Sequence, residues 1–191
     1  MKFNNYTIVL TGLGGQGLIS LLKILGCALM RKGYKVISSE THGLSQRGGK
    51  VTCYLRFGDK MNAPIPMIGT ADMIISTEKS TILDVLQYSK PDRSSKLIIS
   101  TYEKKITNKE YPSEESLEKA LNENSNDIVF VPTESIGEKY QNFKILNIFI
   151  LGFILRFLPL NKEDIENSLN TIFSGEYLDI NLKALHEGYI L

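Results

Sequence analysis

Six residues, Gly12-Leu13-Gly14-Gly15-Gln16-Gly17, follow one residue after the apolar run Ile8-Val9-Leu10 and constrain the fold more than any other stretch. A short strand feeding a glycine-rich turn and then a long apolar helix is how a nucleotide-binding α/β domain opens. The glycines permit a tight turn, bring backbone N–H groups near an anion and let helix and strand pack closely. A G-x-G-x-x-G pattern by itself is a weak sign of a bound dinucleotide. The rest of the chain has to decide its use.

Strand and helix patterns alternate along the sequence. Strands are expected at Tyr6 to Thr11, Lys35 to Glu40, Lys50 to Phe57, Asp72 to Thr77, Lys96 to Thr101 and Ile128 to Val131. Leu18, Leu21, Leu22, Leu25, Ala28 and Leu29 recur with a 3.6-residue period and predict a helix to Lys32, ended by Gly33. Further helices are expected over Ser80 to Tyr88, from a Ser113 cap to Asn122, from a cap at Thr133, from about Asn161 to a stop at Gly175, and as a short piece in the tail. Apolar strands separated by helices predict a Rossmann-like, three-layer α/β domain, a mostly parallel sheet with helices on both faces, spanning residues 1–191 as one domain.

Composition removes several classes of function. A net charge of +1 gives no footprint for nucleic acid or an anionic membrane. Cys27 and Cys53 are the only cysteines and cannot supply the four thiolates of a zinc or iron–sulfur site; both are expected to be small buried hydrophobes. The apolar run Ile145 to Leu160 is about one turn short of a membrane span and is interrupted by Asn147, Arg156 and Pro159, so a buried or interface helix is expected. The start runs straight into a strand, which predicts no targeting peptide.

A second cluster, Glu40-Thr41-His42-Gly43-Leu44-Ser45-Gln46-Arg47-Gly48-Gly49, is harder to explain by folding needs. Glu40 stands 23 residues after Gly17, near the spacing of a ribose-binding acid, and is equally a charge ending a strand. His42 and Ser45 lack a third orienting group, which argues against a nucleophilic pair. Arg47 can clamp a phosphate or carboxylate, or form an interface ion pair. His186, in the tail, reads as structural. A third stretch, Asn62 to Asp72, is an extended connection whose prolines exclude a central strand. Asp72 is expected to cap its turn.

Taken together, G-x-G-G-Q-G at Gly12 to Gly17, E-x-H-G-x-S-Q-R-G-G at Glu40 to Gly49 and P-x-P-x-x-G-x-A-D at Pro64 to Asp72 resemble the gamma-type domain of 2-oxoacid:ferredoxin oxidoreductases. Asn147 to Gly152 is similar to that family's late N-x-x-x-L-G helix, and the stand-alone length resembles the beta subunit of the indolepyruvate type. Leu44, where methionine is common, and Ala63, where serine often precedes the proline, depart from the pattern.

The resemblance implies a cytoplasmic subunit with no catalytic residue of its own. A larger partner would hold thiamine diphosphate and [4Fe–4S] clusters, pass electrons to ferredoxin, and use coenzyme A as co-substrate. Gly12, Gly14, Gly15, Gln16, Gly17, Glu40, His42, Gly43, Ser45, Gln46, Arg47, Gly48 and Gly49 are the residues expected to meet coenzyme A, the 2-oxo acid or the partner subunit. Three other readings stay open: the gamma subunit of a pyruvate or 2-oxoisovalerate ferredoxin oxidoreductase, a stand-alone dinucleotide-binding reductase or sensor, and an assembly protein that buries the helix from Ile145 on a partner.

Overall fold

The computed structural model describes residues 3–42, 49–104 and 110–191. Its centre is a six-stranded sheet made of β1 (Asn5–Leu13), β2 (Lys35–His42), β3 (Lys50–Gly58), β4 (Met73–Ser76), β5 (Lys96–Ser100) and β6 (Asp127–Val131), in the order β2-β3-β1-β4-β5-β6. β1, β4, β5 and β6 pair in parallel. β3 runs against both β1 and β2, so β2 points the same way as β1. The mostly parallel α/β architecture expected from the alternation is therefore present, with β3 as the reversed strand.

The residue patterns explain the layers. β4 (Met-Ile-Ile-Ser) is buried at every position, the pattern of a strand covered on both faces. β3 alternates, sending Val51, Cys53, Leu55 and Phe57 to one side and Thr52, Tyr54 and Arg56 to the other. On the first side lie α1 (Leu18–Arg31), α4 (Leu146–Ile154), α5 (Lys162–Ile172) and α6 (Gly175–Ile190). On the second lie two 3-10 turns (Lys79–Asp84 and Leu86–Tyr88) and α2 (Glu114–Asn124), packed on Val9, Ile74, Leu97 and Ile99. α3 (Thr133–Tyr140) follows β6.

Several local expectations are met. All six periodic residues of α1 are buried, and Gly33, at φ 86°, ends the helix while Tyr34 N donates to Leu29 O. Ser113 caps α2 through the Ser116 amide. Asn161 and Asp164 form a reciprocal capping box at α5. Asn161→Ala is expected to cost about 1 kcal/mol, read as a lowered urea midpoint with unchanged slope.

Other expectations are corrected. The helix over Ser80 to Tyr88 is two 3-10 turns, because the Glu78 carboxylate gathers the Ser80 and Thr81 amides into a tight start. Thr133 does not cap α3: it is the first helical residue, buried, with its hydroxyl against Ser100 and the Tyr102 amide. Gly175 does not end α5, which stops at Ile172, but begins α6. Ile172, expected on the apolar face of α5, is 41% exposed at its end. The tail is a helix of 16 residues, not a short piece.

The run from Ile145 also changes meaning. All nine residues of α4 are buried inside this chain, against α1 and α6. The reading that leaves this helix to cover a partner is overturned. Among the described residues, no helix is long and apolar enough to cross a membrane.

Candidate functional site

The chain leaves β1 through α1 toward β2 on one side, and later places β4 on the other, so the sheet's topological switch lies between β1 and β4. In open α/β sheets that crevice, at the carboxyl ends of the strands, is where ligands sit. Here a side chain of the first glycine loop occupies it. Gln16 Oε1 accepts from the Leu13 amide (2.7 Å) and the Thr77 hydroxyl (2.9 Å), and Gln16 Nε2 donates to Thr77 O (3.3 Å). Gly12 is required by this closeness: a Cβ there would stand 2.0 Å from Thr77 Oγ1 and 2.8 Å from Gln16 Oε1. Two of the expected residues, Gly12 and Gln16, therefore build a latch across the switch point.

Gly17 joins the loop to a distant helix. The Asn147 amide nitrogen donates to Gly17 O (2.8 Å), and a Cβ on Gly17 would lie 2.6 Å from that nitrogen. Asn147 is 3% exposed, the polar exception in an otherwise apolar helix. It was not among the expected site residues. Its signals in the sequence are a single amide inside the run from Ile145 to Leu160 and its place at the head of the N-x-x-x-L-G stretch. Gly17 offers no side chain to cap α1, and the first turn of α1 carries no acid. That terminus opens on a cavity of about 310 Å³ lined by Gly14, Gly15, Ser20 and Val51, next to one of about 190 Å³ reached by Lys144. Uncapped amides and the positive end of a helix favour an anion, and the exposed Gly15 forms the lip.

The second cluster meets the first. The Gly14 amide donates to Gly49 O (2.8 Å). β2 and β3 are antiparallel neighbours, so the cluster lies in their connection and not in a crossover to a parallel strand. Gly43, Ser45, Gln46, Arg47 and Gly48 lie outside the described residues, as does the side chain of His42, whose backbone ends β2 opposite Val51. Glu40 is exposed on β2, opposite Cys53. Because β3 is inserted between β1 and β2, Glu40 is one further strand spacing, about 4.8 Å, from the glycine loop than an acid on the adjacent strand would be. With Gln16 in the crevice, the dinucleotide reading loses both its acid and its floor. Burial, helped by Glu40, pushes the Cys53 thiol up to about 12, which suits a packing residue and not a nucleophile.

On the opposite side of the latch lies a cavity of about 640 Å³ lined by Leu13, Gly49, Lys50, Glu78 and Tyr111. Glu78 is 1% exposed. Its carboxylate accepts from the Ser80 amide and hydroxyl, the Thr81 amide, the Lys104 amide and the Tyr111 hydroxyl. Burial and the neighbouring Glu78 push the Tyr111 hydroxyl well above its ordinary value. Glu78 thus ties the exit of β4 to the chain beyond β5, a role no spacing in the sequence announced. At the other end of the sheet, Asp72 does not cap its own turn: it accepts the Thr7 amide (2.7 Å) and pairs with Lys90 (2.5 Å).

A family profile described as pyruvate ferredoxin/flavodoxin oxidoreductase matches residues 7–191. The chain is 31% identical to the indolepyruvate oxidoreductase subunit IorB of Archaeoglobus fulgidus, over 95% of this chain and 92% of that protein. It is 28% identical to the common gamma subunit of the pyruvate/ketoisovalerate oxidoreductases of Pyrococcus furiosus, over 93% and 92%. The fold matches the pyruvate oxidoreductase subunit PORC of Thermotoga maritima with a TM-score of 0.74, at 22% identity and 98% and 97% coverage. It matches the 2-oxoglutarate:ferredoxin oxidoreductase of Magnetococcus marinus with a TM-score of 0.74, at 18% identity, covering 99% of this chain and 31% of that one. A latched glycine loop at the switch point, met by the end of a second glycine cluster, is thus set in a chain that belongs to the pyruvate ferredoxin/flavodoxin oxidoreductase family.

Proposed function

We propose that this chain is the non-cluster subunit of a 2-oxoacid:ferredoxin oxidoreductase of the indolepyruvate type. The observation that carries the reading is its roughly 30% identity to indolepyruvate oxidoreductase subunits along nearly the whole of both chains. In the complex, a 2-oxo acid anion and coenzyme A become an acyl-CoA, carbon dioxide and a proton, while two electrons pass to ferredoxin. Thiamine diphosphate and the [4Fe–4S] clusters belong to the larger subunit, which supplies the decarboxylation and the electron path. This agrees with a chain whose two cysteines cannot ligate a cluster.

The contribution of this chain is positional. The uncapped start of α1, with Gly15 at its lip, forms an anion-favouring mouth. The latch between Gln16 and Thr77 holds that mouth in one shape. We assign the two glycine clusters to the contact with the larger subunit, beside the path by which coenzyme A and substrate enter.

Co-expression with the larger subunit tests this. Reduction of ferredoxin or a viologen dye is expected only with both chains present, to require coenzyme A, and to be fastest per substrate concentration with indole-3-pyruvate. Preference for pyruvate or 2-oxoisovalerate would assign the chain to the gamma subunits of those enzymes instead. Arg47→Ala is expected to weaken assembly; intact assembly with a raised coenzyme A KM would give that arginine to the coenzyme. Heat released when the isolated chain is titrated with NAD(P) or FAD would overturn the subunit reading.

A further inference from the structure

At the β2–β3 end, one face of the sheet has no helix of this chain packed above it among the described residues. α2 and the 3-10 turns cover β1, β4 and β5 on that side and meet β3 at Tyr54 and Lys50, through Tyr88 and Asp84. Beyond them runs a strip formed by Ile37, Ser39 and Thr41 of β2 and Thr52 and Arg56 of β3, half-buried to exposed. Ile37 is part of neither core cluster. From Thr52 to Arg56 the strip runs about 13 Å along β3, between the end beside Gly49 and the proline-rich connection.

That connection is built to present apolar side chains. Ile65, Met67 and Ile68 are 48%, 78% and 68% exposed, while Pro66 between them is buried. Arg56 Nη1 holds Ala63 O (2.7 Å), the Thr70 hydroxyl holds Met67 O (2.7 Å), and the Gly69 and Ala71 amides donate to Gln87 O and Tyr88 O. Folding alone explains the prolines, but it does not explain three large apolar side chains fixed outward. A rigid, exposed apolar cluster bordering a bare sheet is the make-up of an interface anchor. Between it and Arg56 lies a groove of about 810 Å³, room for a partner's side chains.

We propose that this strip, anchored by Ile65, Met67 and Ile68, is the face on which the larger subunit of the complex sits. The choice of occupant rests on the proposed function and on one comparison. In the Magnetococcus marinus protein the same fold is 31% of a longer chain, so its neighbours there are covalently attached. The indolepyruvate oxidoreductase subunits are matched over 92% to 96% of their own length, so in those proteins the neighbours of the fold are separate chains, held through its surface. Two motif-bearing regions, the Gly49 end of the second glycine cluster and the proline-rich connection, lie at the two ends of this strip.

The test is co-elution of the co-expressed chains by size-exclusion chromatography with light scattering, plus the dissociation constant by titration. Met67→Asp/Ile68→Asp and, separately, Ile37→Arg are expected to keep the wild-type melting temperature and to weaken assembly at least about 30-fold. Ile190→Asp, at a comparably exposed site at the end of α6, is expected to assemble normally. In the wild-type complex, amides of 35–41 and 62–68 are expected to gain hydrogen-exchange protection, a readout needing no variant. Unchanged assembly of both strip variants, or protection confined to other faces, would overturn the proposal. So would a wild-type homodimer that Met67→Asp dissociates while the larger subunit still binds. If the wild-type chain does not bind the larger subunit at all, it is the subunit reading that fails, and this proposal falls with it.

Discussion

Gly188→Ala is expected to destabilise this chain by about 3 kcal/mol, a large share of the roughly 5–15 kcal/mol that holds a domain folded. A Cβ on Gly188 would lie 1.9 Å from the Phe149 carbonyl oxygen and 3.1 Å from the Phe153 amide. Its counterpart, Gly152, would put a Cβ 2.2 Å from the Leu185 carbonyl oxygen. The obstacle in each case is backbone, which cannot rotate aside as a side chain can, so α4 and α6 have to separate by about 1 Å or more. α4 is buried along its whole length, and separation loosens its contacts on both sides. A fall in the urea midpoint with unchanged slope checks the size of the effect. A change below about 0.5 kcal/mol would show that the helices can separate freely.

Gly12→Ala is the second large effect, and it acts on the site. The new methyl meets Thr77 Oγ1 at 2.0 Å, Gln16 Oε1 at 2.8 Å and Leu18 Cδ1 at 3.0 Å. The latch is the softest of these neighbours, so Gln16 is expected to leave the switch point and the glycine loop to lose its shape. We expect a stability loss of about 2 kcal/mol, from a displaced hydrogen-bond network and an unpaired Leu13 amide. A fall of tenfold or more is expected in ferredoxin reduction by the complex. Thr77→Ala in the same chain removes the hydroxyl and is expected to restore part of the loss. A double-mutant cycle should therefore give a coupling above about 0.5 kcal/mol. Additive losses would mean that Gly12 is needed for the turn and not for the latch.

Much of the fold was legible in local pattern. The apolar period of α1 and the apolar strands separated by helices report what lies above and below an element, and the buried face of α1 and the layered sheet are where those patterns put them. Boundaries that depend on tertiary hydrogen bonds were not. Glu78 tightened a helix into 3-10 turns, and Thr133 turned away from capping toward Ser100 and Tyr102. Gly175 looked like a stop, but a glycine with positive φ serves a helix start as well, and only the chain's path separates the two.

The site was legible in the same uneven way. The two glycine clusters stood out because folding needs did not account for them, and Gly14 and Gly49 do meet. Spacing leaves Glu40 with two equal readings, and it is the position of β3 between β1 and β2 that favours a charge near the end of a strand over a ribose-binding acid. Asn147 stands in the N-x-x-x-L-G stretch, but that motif does not say which group its amide holds, and Glu78, a lone acid after a strand, carries no pattern.

The sequence by itself determined the alternation of elements, the layered α/β class and the family, since these rest on composition, period and motifs that neighbouring residues carry. Only the tertiary structure decided which contacts serve the glycine loop. Gln16, Thr77 and Asn147 are far apart in the chain and come together when the sheet orders its strands and α4 packs beneath α1. Hydrogen-bond partners of that kind follow from the three-dimensional path of the backbone, which no local spacing encodes.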